Sequence, residues 1–134
     1  MPNKTTVRKA KQNLRAGKKP STAAGEFVHQ EIEHVRHGQH GARSPQQAIA
    51  IGLNEARRAG IPLKPPKRGK TSDKTRQSAE RAYKEGQSQP GKKASLKRSR
   101  ARERALQREP KNTASHKALS KQARSAALRR KKAA

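Results

Sequence analysis

Residues 44–62 read S-P-Q-Q-A-I-A-I-G-L-N-E-A-R-R-A-G-I-P and contain the clearest helix signals in the chain. Ser44 is a natural N-cap, and Pro45 suits the first helical position, where a missing N–H costs nothing. Gln47 can close a capping box onto Ser44. Gly60, followed by an apolar residue and a proline, is typical of a left-handed C′ ending. The predicted helix buries one face, formed by Ile49, Leu53 and Ala56.

A further helix is predicted before this one, from a cap at Ser21 or Thr22 to about His37. Its apolar residues recur at helical spacing, and Gly38 can end it in the left-handed conformation. The loop G-Q-H-G-A-R would join the two helices into a helical hairpin. A short helix in the preceding basic segment would extend the hairpin to a three-helix unit if it docked. The apolar residues are Ala24, Phe27, Val28, Ile32 and Val35 in the hairpin's first helix, and Val7, Ala10 and Leu14 in the short one.

Charge divides the chain into three parts. The 134 residues include 35 Lys and Arg against 9 Asp and Glu, a net charge of +26, and only 28% are hydrophobic. Residues 1–20 form a basic arm without acids, residues 21–63 form a module with equal numbers of acids and bases, and residues 64–134 form a strongly basic tail. Low hydrophobicity with high net charge predicts disorder over much of the chain.

The tail opens with the Pro-rich segment I-P-L-K-P-P-K-R-G-K, which favours an extended linker. Three stretches of good helix formers follow: residues 73–85, ending at Gly86, residues 93–108 and residues 113–131. None has an apolar stripe wide enough to dock on a core. We therefore predict an all-α protein, in which a small helical hairpin, with or without the third helix, carries a largely disordered or conditionally helical basic tail.

Several function classes find no support in the sequence. Without Cys there is no disulfide scaffold, Cys-ligated zinc or thiol catalysis. No apolar run is long enough to span a membrane, and no phosphate-binding loop or serine nucleophile motif occurs. We expect neither an enzyme nor a cofactor or small-molecule substrate. The N-terminus lacks the apolar stretch of a secretory signal, although its basic, acid-free composition would also suit a mitochondrial transit peptide.

Four histidines lie close together in the module: His29, His34, His37 and His40. His34 and His37 are three residues apart on a helix, and Glu33 or His40 could add a ligand. Strong zinc sites, however, bring their ligands from two elements, and no second cluster exists. We interpret these histidines as polar residues of a helix face and the module's glutamates as solvated surface, and we expect no metal site.

The basic excess favours a polyanionic partner. Crowding so much charge causes self-repulsion, which phosphate backbones relieve with release of counterions. An anionic membrane surface would require more aromatic and Leu residues, and an acidic protein is the other alternative. With so few aromatic residues to stack on single strands, duplex DNA is favoured over RNA. The predicted backbone contacts are Lys67, Arg68, Lys92, Lys93, Lys97, Arg98, Arg100, Arg102, Arg124, Arg129, Arg130, Lys131 and Lys132.

One helix face could read bases. Gln46, Asn54 and Arg57 lie away from the apolar face of the second hairpin helix, and such side chains suit a major groove. The hairpin would then be a variant of a helix-turn-helix. The alternative is a plain polar face, which the long six-residue loop favours.

Residues 26–60 resemble a bacterial family of small basic proteins that carries a motif like S-x-x-Q-A-I-A-I-G-L-x-E-A-R-x-A-G. The match runs from Ser44 through Gln47 and the A-I-A-I-G-L segment to Ala59 and Gly60. The resemblance implies a bacterial cytoplasmic protein of a class often labelled DNA-binding, and it brings no assigned reaction or site residues. Together with the charge, it favours a nucleoid-associated protein that binds DNA through non-specific phosphate contacts. Recruitment of an acidic protein and association with RNA or the ribosome are the alternatives.

Overall fold

The computed structural model describes residues 3–93 and 95–133. Residues 1 and 2 of the predicted arm and residues 94 and 134 of the predicted tail lie outside them. The described residues form six α-helices and no strand, which confirms the all-α class. The helices are α1 (Lys4–Arg15), α2 (Pro20–Arg36), α3 (Pro45–Arg58), α4 (Asp73–Ser88), α5 (Leu96–Gln107) and α6 (His116–Ala133).

The start of α3 follows from its local sequence. Pro45 is its first residue, and the Ser44 Oγ accepts a hydrogen bond of 3.2 Å from the Gln47 N–H. The Gln47 side chain reaches back to the Arg43 N–H instead of the Ser44 N–H that a capping box would use. Helix α2 likewise begins at Pro20, so the prediction of a cap at Ser21 or Thr22 is wrong. Proline's fixed φ suits the first helical position, and the helix therefore starts earlier.

The end of α3 is a Schellman motif. Gly60 has a φ of +97°, and the Ile61 N–H donates to the Ala56 carbonyl at 3.1 Å. Helix α2 ends in the same way, because Gly38 has a φ of +72° and the Gln39 N–H donates to the His34 carbonyl at 3.0 Å. Both turns need the left-handed conformation that glycine adopts most readily.

Contacts divide the chain into two compact units, and the division falls within α2 and α3. The first unit is Met1–Gln30 with Ala50–Ala94, and the second is Glu31–Ile49 with Ser95–Ala134. The two units divide both the predicted module and the predicted tail, whereas the predicted arm belongs to the first unit.

The core of the first unit surrounds Phe27, which is fully buried. Helix α1 packs here through its predicted face, with Ala10 buried and Val7 and Leu14 beside it. Gly52 allows α3 to lie close to α2, because a Cβ at this position would stand 2.7 Å from the Val28 Cα. The other buried core residues are Ala23, Ala24, Ala56 and Ile61.

Helix α4 also packs in the first unit, and its buried residues are all small. Ala79 and Ala82 are buried, and Gly86 lies inside the helix instead of ending it. A Cβ on Gly86 would stand 1.6 Å from the Arg57 carbonyl oxygen, so the backbones are in close contact. The prediction that no tail stretch can dock is therefore wrong for α4. A face of Ala and Gly docks by backbone proximity and does not need a stripe of large apolar residues.

The second unit is built on the loop at residues 39–42. The Gly41 N–H donates to the Leu106 carbonyl and the Ala42 N–H to the Pro110 carbonyl, both at 2.9 Å. The Thr113 hydroxyl donates to the Ala42 carbonyl at 2.9 Å. Part of the predicted tail thus holds the loop of the predicted hairpin. The small apolar core of this unit consists of Val35, Ala42, Ala48 and Ala114, with Ile32 packed against them.

Helices α5 and α6 differ from the others, because neither contains a buried residue. Leu96 of α5 and Leu128 of α6 are exposed, whereas Leu106 and Leu119 are half-buried. No helix among the described residues combines the length and the apolarity that crossing a bilayer requires.

Candidate nucleic-acid interface

Helix α6 carries the largest positive charge of the six helices in the described chain. All of its ionised side chains are basic, and each is exposed. No carboxylate among the described residues lies within ion-pair distance of them. Their charge is therefore open to solvent and to an anionic partner. These residues are Lys117, Lys121, Arg124, Arg129, Arg130, Lys131 and Lys132.

Helix α5 carries a similar surface with one acid, Glu103. Among the predicted contact residues of α5, Arg98 donates a side-chain hydrogen bond, from its Nε to the Ser95 hydroxyl at 3.1 Å. That bond leaves the guanidinium's charge unpaired. All predicted backbone-contact residues of the chain are exposed. Those of α5 are Lys97, Arg98, Arg100 and Arg102, and those in the connecting segments are Lys67, Arg68, Lys92 and Lys93.

Some basic side chains of α4, unlike those of α6, form ion pairs with carboxylates. The Glu80 carboxylate lies 3.6 Å from an Arg76 nitrogen and 3.3 Å from the Lys84 Nζ. Asp73 lies 3.9 Å from Arg76. Because these carboxylates already neutralise part of the charge, α4 has less to gain from a phosphate than α6.

The predicted base-reading face is not a continuous exposed surface. Gln46 is exposed, but Asn54 is half-buried and Arg57 is only 5% exposed. The Arg57 guanidinium donates to the Leu63 carbonyl at 3.1 Å and to the Asn54 Oδ1 at 2.9 Å. It also donates to the Lys64 carbonyl at 3.4 Å.

The placement of Arg57 on an exposed face was therefore wrong. Its long side chain folds back over the end of α3 and donates to two carbonyl oxygens of the segment that follows. Burial lowers the pKa of the Arg57 guanidinium from its usual value, because desolvation disfavours the charged form. The group stays charged at neutral pH. Its role in the structure is to hold the segment after α3.

A shallow groove in the second unit lies beside Gln46. Its volume is about 280 Å³, and it runs between the first turn of α3 and one face of α6. Lys121 brings a positive charge to the polar amides of Gln46 and Gln122 there. The lining residues are Pro45, Gln46, Ala118, Lys121, Gln122 and Ser125.

The four histidines of the module do not lie together on one exposed helix face. His29 is exposed, and His37 is 67% exposed with its Nε2 3.6 Å from Glu33. His34 and His40 instead converge on Glu31. The interpretation of the module's glutamates as solvated surface is wrong for Glu31, which is 3% exposed.

Glu31 is the residue that the sequence interpretation missed. A signal was present, because Glu31 precedes His34 by three residues and so shares its side of α2. The approach of His40, which follows the turn at Gly38, could not be read from helical spacing.

No family model, no curated protein and no solved structure matches this chain. The charge, burial and contacts of its own residues are therefore the basis for assigning a function.

Proposed function

We propose that this protein binds nucleic acid, duplex DNA above all, through non-specific contacts between exposed basic side chains and the phosphate backbone. The observation that carries the proposal is α6, a helix whose ionised side chains are all basic, exposed and without carboxylate partners among the described residues. Placing phosphates beside them releases condensed counterions, which is the main source of affinity in non-specific DNA binding.

The two aromatic residues support duplex over single strands. Phe27 is fully buried and Tyr83 is half-buried, so neither offers an open face on which a base can stack. Gln46 is the one exposed member of the predicted base-reading set, and sequence reading therefore has little part in the proposal. Structured RNA, for example in a ribosome, presents the same phosphate chemistry and is the second candidate.

The exposure of α5 and α6 supports a coupling between DNA binding and the formation of these helices. Neither helix buries a residue, and like charges along each helix repel. Neutralisation by phosphates removes that repulsion, so we propose that both helices are only partly formed in the free protein and become fully helical on DNA. The resemblance to small basic bacterial proteins suggests a cytoplasmic, nucleoid-associated role without catalytic activity.

The salt dependence of DNA affinity tests the proposal on the full-length protein. If about 8–10 basic residues contact phosphates at once, log K against log salt should fall with a slope of about −7 to −9. Replacing Arg124, Arg129 and Arg130 by Gln should make the slope shallower by up to about 2.7, since each lost contact removes about 0.9. Fluorescence anisotropy with two duplexes of unrelated sequence gives both slopes.

The matched control removes the same amount of charge from α4, by replacing Lys74, Arg81 and Lys84 with Gln. These side chains are exposed, and α4 also carries Asp73, Glu80 and Glu85. The control should change the slope by less than the α6 variant does. A wild-type slope near −2 would contradict the electrostatic account and favour an acidic protein partner. Equal effects of the two variants would contradict the assignment of the phosphate contacts to α6.

A further inference from the structure

Glu31, His34 and His40 form a compact group of potential metal ligands within the second unit. One oxygen of Glu31, one ring nitrogen of His34 and one of His40 all lie within 4.8 Å of one another. The separations are 3.5 Å from Glu31 Oε1 to His34 Nδ1, and 3.2 Å from Glu31 Oε2 to His40 Nε2. The group is independent of the basic surface on α6.

Local structure explains why these side chains meet. Glu31 and His34 lie one turn apart in the last part of α2, so they share a side of the helix. The chain then reverses at Gly38, and the hydrogen bonds of residues 41 and 42 to Leu106 and Pro110 hold the following loop. His40 is thereby brought back against the end of α2. Its ring approaches that of His34 edge to face, with 5.9 Å between centroids.

The Glu31 carboxylate is unusual because it is buried without well-formed hydrogen bonds at one oxygen. Its side chain is nine-tenths or more buried, and Oε2 has no hydrogen-bond partner among the described residues. His40 Nε2 is near enough, at 3.2 Å, but the contact lacks the direction of a hydrogen bond. A buried carboxylate in that state is costly unless a cation compensates it.

His40 is already oriented as a ligand. Its Nδ1 lies 2.9 Å from the Gly41 carbonyl oxygen, which can only accept, so Nδ1 carries the proton. In the neutral ring this leaves the lone pair on Nε2, the atom that faces Glu31. A backbone carbonyl that fixes the second ring nitrogen is the usual support of a metal-binding histidine.

We propose that Glu31, His34 and His40 bind one zinc ion. Ligand atoms about 2.0–2.1 Å from a tetrahedral zinc stand roughly 3.3 Å apart. The contacts of 3.5 and 3.2 Å join His34 and His40 to different oxygens of Glu31, and one Glu31 oxygen lies within 4.8 Å of a nitrogen of each ring. Small side-chain movements would therefore bring one ligand atom of each residue to the zinc distance. The His34 side chain is partly exposed and can turn to close the remaining distance to His40. Two histidines and one carboxylate leave a fourth position for water.

Zinc at this site would connect the loop at residues 39–42 to α2. The ion would join His40 to α2, and the same loop holds the segment from Leu106 to Thr113 through backbone hydrogen bonds. Binding free energy at such a site contributes to folding, since the ligands are not assembled in the unfolded chain. The ordering of the second unit should therefore respond to zinc.

Titration of the full-length, metal-free protein with zinc chloride, followed by calorimetry, tests the site. We expect one ion per chain, and at least about a tenfold loss of affinity in His34→Ala and in His40→Ala. His37→Ala is the matched control, because His37 belongs to the same cluster in sequence but is exposed and faces Glu33. It should bind zinc as the wild type does.

A second measurement does not depend on the variants folding. In nitrogen-15 spectra of the wild-type histidine rings, zinc should shift the resonances of His34 and His40 and leave those of His29 and His37 in place. Failure of the wild type to bind zinc, equal losses in all three variants, or shifts at His29 and His37 would each overturn the proposal. None of these outcomes depends on DNA binding, so the site and the proposed function fail separately.

Discussion

Replacing Gly86 by Ala should separate α4 from the backbone that it touches. The added Cβ would stand 1.6 Å from the Arg57 carbonyl oxygen, 2.7 Å from the Arg57 carbonyl carbon and 3.1 Å from the Arg58 Cα. Ordinary contact for a Cβ begins at 3.4 Å, so α4 must retreat by roughly 1.8 Å, the difference between 3.4 and 1.6 Å. Backbone atoms cannot move aside as the end of a flexible side chain can.

The expected cost follows from two opposing effects. Alanine is favoured over glycine inside a helix by about 1 kcal/mol. Overpacking costs typically about 1–3 kcal/mol, and a shift of this size also loosens the contacts of Ala79 and Ala82. We expect a net destabilisation of about 2 kcal/mol, or the detachment of α4.

Gly25→Ala is the matched control for this change. Gly25 lies inside α2, is exposed and would place its Cβ with no atom within 4 Å. The same substitution there should stabilise the protein by up to about 1 kcal/mol. Gly60→Ala, which forces alanine to a φ of +97°, should cost about 1 kcal/mol.

Urea unfolding followed by circular dichroism measures the global effect, and hydrogen exchange of the α4 amides measures local detachment. If Gly86→Ala matches Gly25→Ala in stability and keeps the α4 amides protected, α4 does not pack against the Arg57 backbone and the reasoning fails.

Two further substitutions test the remaining contacts. Arg57→Met should destabilise the fold by about 2–3 kcal/mol in urea melts, because the Leu63 and Lys64 carbonyls lose a charged donor; an unchanged melt would contradict the burial of this guanidinium. Gly41→Ala would place a Cβ 1.9 Å from the Glu109 carbonyl oxygen. The Gly41→Ala substitution should expose the Ala42 amide to hydrogen exchange, while the α1 amides keep their protection. Full protection of the Ala42 amide would contradict the contact between this loop and the tail.

Features set by near neighbours in the chain could be predicted from the sequence. The bounds of α3 follow from Ser44 and Pro45 at one end and from Gly60 at the other, each acting within a few residues. The apolar face of α1 was also readable, since Val7, Ala10 and Leu14 recur at helical spacing and pack on the core. The exposure of the basic residues on α5 and α6 follows from their charge, because burying an unpaired ion is costly.

The tertiary structure alone decided which small or polar side chains became buried. Ala79, Ala82 and Gly86 carry no strong apolar signal, and only the approach of the α3 backbone makes their smallness useful. Arg57 lies on a polar helix face by sequence, yet the path of the chain after α3 places the Leu63 and Lys64 carbonyls where its guanidinium donates to them. The group of Glu31, His34 and His40 depends on a chain reversal that tail residues hold in place. Caps, periodicity and charge act over a few residues and are visible in the sequence, whereas burial depends on partners far along the chain that only folding brings together.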